Sequence, residues 1–74
     1  MPRVTIRVIE GVFTPDQKAE MIAQVTDTMV GIEGEALRGV TWVLLDEVRS
    51  GDWGIGGNAL TTEDVLALAA GGPA

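Results

Sequence analysis

The chain has 74 residues, 46% of them hydrophobic, and a formal net charge of -6. This length predicts a single domain over residues 1–74, and the hydrophobic fraction is too high for a disordered chain. The sequence contains no cysteine and no histidine, which excludes disulfides and zinc sites built on those residues. Its five basic residues are scattered, so it lacks the basic stripe that nucleic-acid binding requires.

The small size and apolar character also bear on assembly and location. A chain of roughly 60 residues hides only about 60% of its unfolded surface, and a short apolar sequence without crosslinks usually completes its core against copies of itself. We therefore expect a homo-oligomer. No apolar stretch approaches the roughly 20 residues of a membrane span, and the N-terminus lacks the apolar run of a signal peptide. These features predict a cytoplasmic protein with no membrane partner.

The first element has the pattern of a strand. Residues 3–9 alternate polar and apolar side chains and are rich in β-branched types, which predicts a half-buried strand. Glu10 and Gly11 follow it as a turn, because glycine tolerates the backbone angles that a turn needs.

The next segment has the signals of a capped helix. Thr14 is placed at the N-cap, Pro15 at the first helical position, and Gln17 completes a Thr-x-x-Gln capping box. Apolar residues then recur at helical spacing as far as Ile32, which gives the helix one apolar face. Gly34 is expected to end it in a left-handed conformation.

A second strand is predicted over residues 40–47. Its centre, residues 42–45, is continuously apolar, which is typical of a strand covered on both faces. Strand, helix and strand together form a βαβ unit, so the two strands should be parallel.

The end of the chain predicts a hairpin and a short helix. The glycine-rich residues 54–57 suit a tight hairpin turn. Either Thr61 or Thr62 is then placed to cap a last helix over residues 63–70. Gly71, Gly72 and Pro73 are expected to end that helix.

Pro2 is the residue with the clearest chemical potential. Methionine aminopeptidases remove Met1 when a small residue such as proline follows, and removal leaves a secondary amine at the terminus. Apolar surroundings would disfavour the charged amine and lower its pKa toward neutrality, which suits a general acid–base catalyst. Taken alone, the pattern favours a simpler interpretation, in which Pro2 merely begins an edge strand.

The whole chain carries a further indication. Met1-Pro2 leading into a strand, Glu10-Gly11, a Thr-Pro-Asp-Gln-Lys helix start and the segment Asp-Trp-Gly-Ile-Gly-Gly at residues 52–57 occur in this order. Over residues 2 to about 57 the sequence resembles the 4-oxalocrotonate tautomerase family. The resemblance implies an α/β (α+β) fold, with a β-α-β subunit, parallel strands, a C-terminal hairpin and a short helix. It also implies assembly into hexamers or comparable oligomers.

The resemblance implies a function as well. In this family the N-terminal proline moves a proton between the oxygen and a carbon of an enol or dienol, without a metal or an organic cofactor. Pro2 occupies that position. The implied activity is therefore keto–enol tautomerisation of a small conjugated 2-oxo or 2-hydroxy acid. The main-chain amide near Ile9 and an arginine would steady the negative charge that develops on oxygen.

Two positions depart from the family pattern. The family enzyme that acts on 2-hydroxymuconate has arginines where this sequence has Val12 and Trp42. Those arginines hold the carboxylates of the substrate through a two-pronged donor group that valine and tryptophan lack. A dicarboxylate substrate is therefore not expected. Arg49, close in sequence to Trp53, is a candidate to hold a carboxylate in a neighbouring subunit.

The two tryptophans have alternative roles. Trp53 matches a family aromatic residue that walls the pocket and keeps the proline dry, although tryptophan is equally common as a core or interface anchor. Trp42 is more typical of a core residue; if it lines the pocket, it would favour a planar conjugated substrate. Two other functions also stay open. One is a hetero-oligomer whose other chain supplies arginines, and the other is a non-catalytic ligand-binding or assembly protein.

Overall fold

The structure, a computed structural model, describes residues 1–71. The predicted contribution of Gly72 and Pro73 to ending the last helix lies outside these residues. The elements are, in chain order, β1 (Arg3–Ile9), α1 (Pro15–Glu33), a 3₁₀ helix (Glu35–Val40), β2 (Trp42–Val48), β3 (Trp53–Ile55), β4 (Asn58–Leu60) and α2 (Thr62–Ala69).

The chain divides into two compact units. The first comprises residues 1–6 and 14–46, and the second comprises residues 7–13 and 47–71. The single domain expected for a chain of this length stays a prediction. Within residues 1–71, no helix combines the length and the apolar character that crossing a membrane would need.

Strands β1 and β2 are parallel neighbours, as predicted. The Trp42 N–H at the start of β2 donates to the Pro2 carbonyl oxygen over 3.1 Å, and the Glu10 N–H donates to the Val48 carbonyl oxygen at its end over 2.8 Å. Both strands therefore advance in the same direction. The predicted α/β (α+β) subunit with a βαβ unit is confirmed.

Helix α1 begins where its sequence signals place it. The Thr14 hydroxyl accepts from the Gln17 N–H over 3.1 Å, and the Gln17 side-chain oxygen accepts from the Thr14 N–H over 2.9 Å. This reciprocal pair satisfies two backbone donors that the first turn would otherwise leave without partners. The helix ends before Gly34 as predicted, and Gly34 has the positive φ of a left-handed cap, 103°, although its ψ of 150° differs from that of a left-handed helix. Its N–H still donates to the Val30 carbonyl oxygen over 2.8 Å.

The predicted start of β2 is also wrong. Val40 belongs to the 3₁₀ helix, and the strand begins at Trp42. The reason lies in Thr41, whose hydroxyl hydrogen-bonds to the Glu33 carboxylate and to the Leu37 carbonyl oxygen. Such local side-chain hydrogen bonds compete with strand pairing, and here they hold the chain in a turn up to residue 41.

The hairpin and the last helix belong to the second unit. In the antiparallel pair β3–β4, Trp53 lies opposite Leu60 and Ile55 opposite Asn58. Gly56 and Gly57 have φ 58° and 85°, the positive angles that a tight two-residue hairpin turn needs.

Helix α2 begins at Thr62, and its cap is Thr61 rather than Thr62. The Thr61 hydroxyl accepts from the Asp64 N–H over 3.2 Å, and the Asp64 carboxylate accepts from the Thr61 N–H over 3.0 Å. This is a second reciprocal capping box.

Burial in the single chain is slight. Among the described residues, the buried apolar side chains are Ile9 and Val30, each 5% exposed. The expectation that β2 is covered on both faces does not hold within one chain. Trp42 and Leu44 lie on the same face of β2, and both are exposed. A large part of the apolar surface therefore has no cover within one copy.

Candidate active site

Pro2 is fixed through its carbonyl group. It is half-buried and directly precedes β1, and its carbonyl oxygen accepts the Trp42 N–H. The backbone at Pro2 is therefore held in the parallel pairing at the start of β2. Met1 is 82% exposed and thus accessible to an aminopeptidase. Its removal would convert the Pro2 nitrogen from an amide into a secondary amine.

The second unit contains an apolar cavity of about 270 Å³. Nine side chains line it, all of them aliphatic or aromatic: Val8, Ile9, Val12, Phe13, Trp53, Ile55, Leu60, Val65 and Leu68. Two candidate site residues, Ile9 and Trp53, are thus brought to one cavity. Val12, which stands where the dicarboxylate enzyme has an arginine, is part of the same wall. The cavity is open to solvent, since Ile55 and Leu68 are 59% and 50% exposed, and its lining offers a ligand no charged group.

The turn after β1 holds part of the cavity wall in place. Gly11 has φ 80°, and a Cβ atom added there would lie 3.0 Å from Cγ2 of Thr62. The Thr62 hydroxyl donates to the Glu10 carbonyl oxygen over 2.6 Å. Only glycine therefore suits position 11, both for its backbone angle and for the close approach of Thr62.

Ser50 completes this tether between the turn and α2. Its N–H donates to the Glu10 carboxylate over 3.1 Å, and its hydroxyl accepts the Thr62 N–H over 2.8 Å. The sequence analysis did not find the roles of Thr62 and Ser50. Thr62 gave a signal only as a possible cap, and its partner Glu10 lies 52 positions away.

A polar groove adjoins Trp53 in the same unit. It has a volume of about 240 Å³ and is lined by Arg7, Val48, Asp52, Trp53 and Gly54. Trp53 thus lines both the apolar cavity and the groove. Arg7 and Asp52 bring opposite charges to the groove.

The exposed arginines have different surroundings. Arg38 already holds two carboxylates, with 2.7 Å from its Nε to Oε1 of Glu35 and 2.9 Å from its Nη1 to Oδ1 of Asp27. The hydrogen bond from Arg38 lowers the pKa of Glu35, and the hydrogen bonds from Glu35 and Asp27 raise the pKa of Arg38 above its ordinary value. These contacts engage the Arg38 guanidinium with two carboxylates of its own chain at the surface of the first unit.

Arg49 lies in the turn between β2 and β3. It is exposed, and its carbonyl oxygen accepts the Asp52 N–H over 2.9 Å. Arg49 is not among the residues that line the apolar cavity or the groove. Its predicted contact with the site of a neighbouring subunit stays a prediction.

Trp42 is 52% exposed at the start of β2 in the first unit. Its backbone is bound to Pro2, and its side chain shares a strand face with Leu44. In the single chain Trp42 is therefore a surface residue and not the core residue that its type suggests.

Sequence comparison places most of the chain in one family. The family model described as "Tautomerase enzyme" matches residues 2–63. Among curated proteins, the probable tautomerase K2 of Dickeya dadantii (strain 3937) is 41% identical over 61 residues, which cover 82% of this chain and 90% of that protein.

Solved structures with the same fold agree with this assignment. An apo "unFused 4-OT" has a TM-score of 0.68 and 26% identity, covering 85% of this chain and 97% of its own. DmpI from Helicobacter pylori has a TM-score of 0.68 and 31% identity, covering 80% and 95%. A 4-oxalocrotonate tautomerase isozyme from Methylibium petroleiphilum has a TM-score of 0.65 and 29% identity, covering 86% and 97%. The chain therefore belongs to the tautomerase enzyme family.

Proposed function

We propose that this chain catalyses keto–enol tautomerisation of a small conjugated 2-oxo or 2-hydroxy acid, with Pro2 as the general acid and base. The observation that carries the proposal is the family match over residues 2–63, which begins at Pro2 itself. The exposed Met1 supports it, because the Pro2 nitrogen becomes a base only after Met1 is removed.

The proposed reaction is a balanced proton transfer. The Pro2 nitrogen takes the proton from the enol hydroxyl, and the O–H electron pair forms the carbonyl. The electrons of the carbon–carbon double bond then accept the proton from Pro2 at carbon. No atom is gained or lost, so the protein needs only to position the acid and to stabilise charge on oxygen. No metal or organic cofactor takes part in this scheme.

Strand geometry supports a role for the Ile9 amide in that stabilisation. Successive N–H groups of a strand point to opposite edges, and the Glu10 N–H points to β2, where it donates to Val48. The Ile9 N–H therefore points to the other edge of β1, beside which residues 1–71 place no strand. We propose that this backbone donor stabilises the oxyanion and that Arg49 binds the nearby carboxylate.

The length of β1 supports an oligomeric site. A strand advances about 3.3 Å per residue, so the seven steps from Pro2 to Ile9 span about 23 Å. A small conjugated acid is far shorter than this. We therefore propose that Pro2 of one copy and the apolar cavity of a neighbouring copy, which Ile9 and Trp53 line, act on one substrate within a homo-oligomer. The specific expectation for this homo-oligomer is a hexamer. The exposed Trp42 and Leu44 provide apolar surface for such an assembly.

A second candidate is a hetero-oligomeric tautomerase. It is favoured by Val12 and Trp42, which stand where the dicarboxylate enzyme has arginines. In that case the purified chain would be inactive alone and active after mixing with a paralogous chain. A non-catalytic binding protein on the same scaffold would stay inactive in both tests.

The first experiment is intact-mass measurement followed by labelling with a reactive 2-oxo halide. The chain should have the mass expected without Met1, and the halide should modify Pro2 near neutral pH. Retention of Met1 in the purified protein would exclude Pro2 as the base.

Replacement of Pro2 tests the chemistry itself. Pro2→Ala should reduce kcat/KM for the enol of phenylpyruvate by at least about 100-fold, the usual contribution of a positioned acid–base group. Pro15→Ala is the matched control, because Pro15 lies at the exposed first position of α1. Equal turnover by both variants would contradict the proposal. The same assay with 2-hydroxymuconate compares a dicarboxylate substrate with phenylpyruvate.

A further inference from the structure

The apolar cavity of the second unit has a uniform lining. The end of β1, the turn after it, the hairpin and α2 each contribute side chains; none of these side chains is charged, and the indole N–H of Trp53 is their one polar group. An ionised carboxylate would lose its hydration there without gaining a charged partner, which is costly. The cavity therefore selects for an uncharged group.

The volume limits what that group can be. An apolar cavity of about 150 Å³ is large enough to bind benzene, and this one has about 270 Å³. It has room for a six-membered ring with a few further atoms, or for an alkyl chain of similar size. A whole secondary-structure element of a protein partner would not fit, since a helix is about 10 Å wide.

Helix α2 forms one wall of the cavity. Val65 and Leu68 of α2 line it, whereas Leu66 on the same helix does not. The capping box at Thr61 and the hydrogen bonds of Thr62 to Glu10 and Ser50 fix the start of this helix. The position of Leu68 is thus set by the fold, and its side chain can limit the length of a ligand tail in the cavity.

We propose that this cavity binds the uncharged aryl or alkyl tail of a 2-oxo acid, whose carboxylate stays outside, and that Leu68 sets the tail length. The inference rests on the proposed function for the identity of the 2-oxo acid group. It makes the substrate a monoacid with an apolar tail of roughly ring size, in contrast to a dicarboxylate.

The test is calorimetric titration of the full-length Pro2→Ala protein, in which binding is measured with turnover greatly reduced. The probes are 2-oxobutanoate, 2-oxohexanoate, 2-oxooctanoate and phenylpyruvate, with 2-oxoadipate as the charged-tail counterpart of 2-oxohexanoate. Each buried methylene should lower the Kd about three- to four-fold until the cavity is full. The second carboxylate should raise the Kd at least about 100-fold relative to 2-oxohexanoate.

A matched pair of leucines tests the location. Leu66 and Leu68 lie on the same helix and are 44% and 50% exposed, but only Leu68 lines the cavity. Leu68→Ala should let the Kd keep falling, about three- to four-fold per methylene, for tails longer than the one that fills the unsubstituted cavity, and Leu66→Ala should leave that limiting length unchanged. Leu68→Trp should exclude the ring of phenylpyruvate.

The outcomes separate this inference from the proposed function. A Kd that does not depend on tail length, or that responds equally to both leucine variants, overturns the cavity assignment even if the wild-type chain is active. A Kd that falls with tail length supports it even if the wild-type chain turns nothing over, and the proposed function then fails alone. If a second copy fills the cavity, none of the acids binds, which also overturns the assignment.

Discussion

Gly11 and Thr62 offer a direct test of how the turn after β1 is held. Gly11→Ala places a residue other than glycine at φ 80° and brings its Cβ to 3.0 Å from Cγ2 of Thr62. The backbone conformation alone costs about 1–2 kcal/mol. The close contact adds to this, because a separation under 3.4 Å requires the threonine methyl group to move. We expect a total loss of about 2–3 kcal/mol in the free energy of unfolding.

Thr62→Ser separates the cost of the backbone conformation from the cost of the close contact. It removes Cγ2 and keeps the hydroxyl that donates to the Glu10 carbonyl oxygen. The nearest remaining atoms would lie 3.7 and 3.9 Å from the added Cβ, an ordinary contact distance. In the Thr62→Ser background, Gly11→Ala should therefore cost only the backbone term of about 1–2 kcal/mol.

The measurement is a double-mutant cycle by urea denaturation at one fixed protein concentration, because oligomerisation makes apparent stability depend on concentration. We expect a coupling free energy of at least about 0.5 kcal/mol between the two positions. The control is Gly31→Ala, since an added Cβ at Gly31 meets no atom within 4 Å and alanine favours a helix by about 1 kcal/mol. Additive effects of Gly11→Ala and Thr62→Ser would refute the contact between them.

Three further predictions concern the first unit. Thr14→Ala should lower the free energy of unfolding by about 1 kcal/mol, measured by urea denaturation, because it removes the hydroxyl of the α1 capping box. Arg38→Ala should raise the pKa of Glu35 toward its ordinary value in an NMR titration. Because the pKa of Glu35 is lowered in the folded chain, its ionised carboxylate stabilises the fold at pH values above the pKa of Glu35 in the unfolded chain. This stabilisation is lost as the pH falls through the folded pKa. The corresponding dependence of the free energy of unfolding on pH should be absent in the variant. Leu44→Asp should shift the assembly toward smaller species in analytical ultracentrifugation, because it puts a charge on an exposed apolar strand face.

Local signals account for the parts of the fold that the sequence predicts. The two glycines at the β3–β4 turn and the cap at Thr14 depend on residues within four positions, so their patterns are readable without tertiary information. The alternation of polar and apolar residues along β1 is likewise a local pattern that predicts a strand without tertiary information. The family resemblance adds that Ile9 and Trp53 belong to one site, and the structure brings both to one cavity.

Other features depend on contacts that no local pattern encodes. The 3₁₀ helix before β2 accompanies hydrogen bonds of Thr41 and ion pairs of Arg38 with Asp27, 11 positions away. The tether from Thr62 to Glu10 joins residues at opposite ends of the chain. An apolar pattern also cannot tell a core residue from one that another copy covers, which is why Trp42 looked like core and is exposed in the single chain.

The departure at Val12 connects the site to its substrate. Val12 stands where the dicarboxylate enzyme has an arginine, and it lines an apolar cavity together with Leu68 of α2. A cationic side chain in that wall would itself require a partner, because an unpaired charge is costly in apolar surroundings. An arginine at position 12 would therefore not fit an apolar wall unless it found a partner. Under the proposed function, Val12 leaves a second carboxylate without a cationic partner and contributes to a wall that favours an uncharged tail.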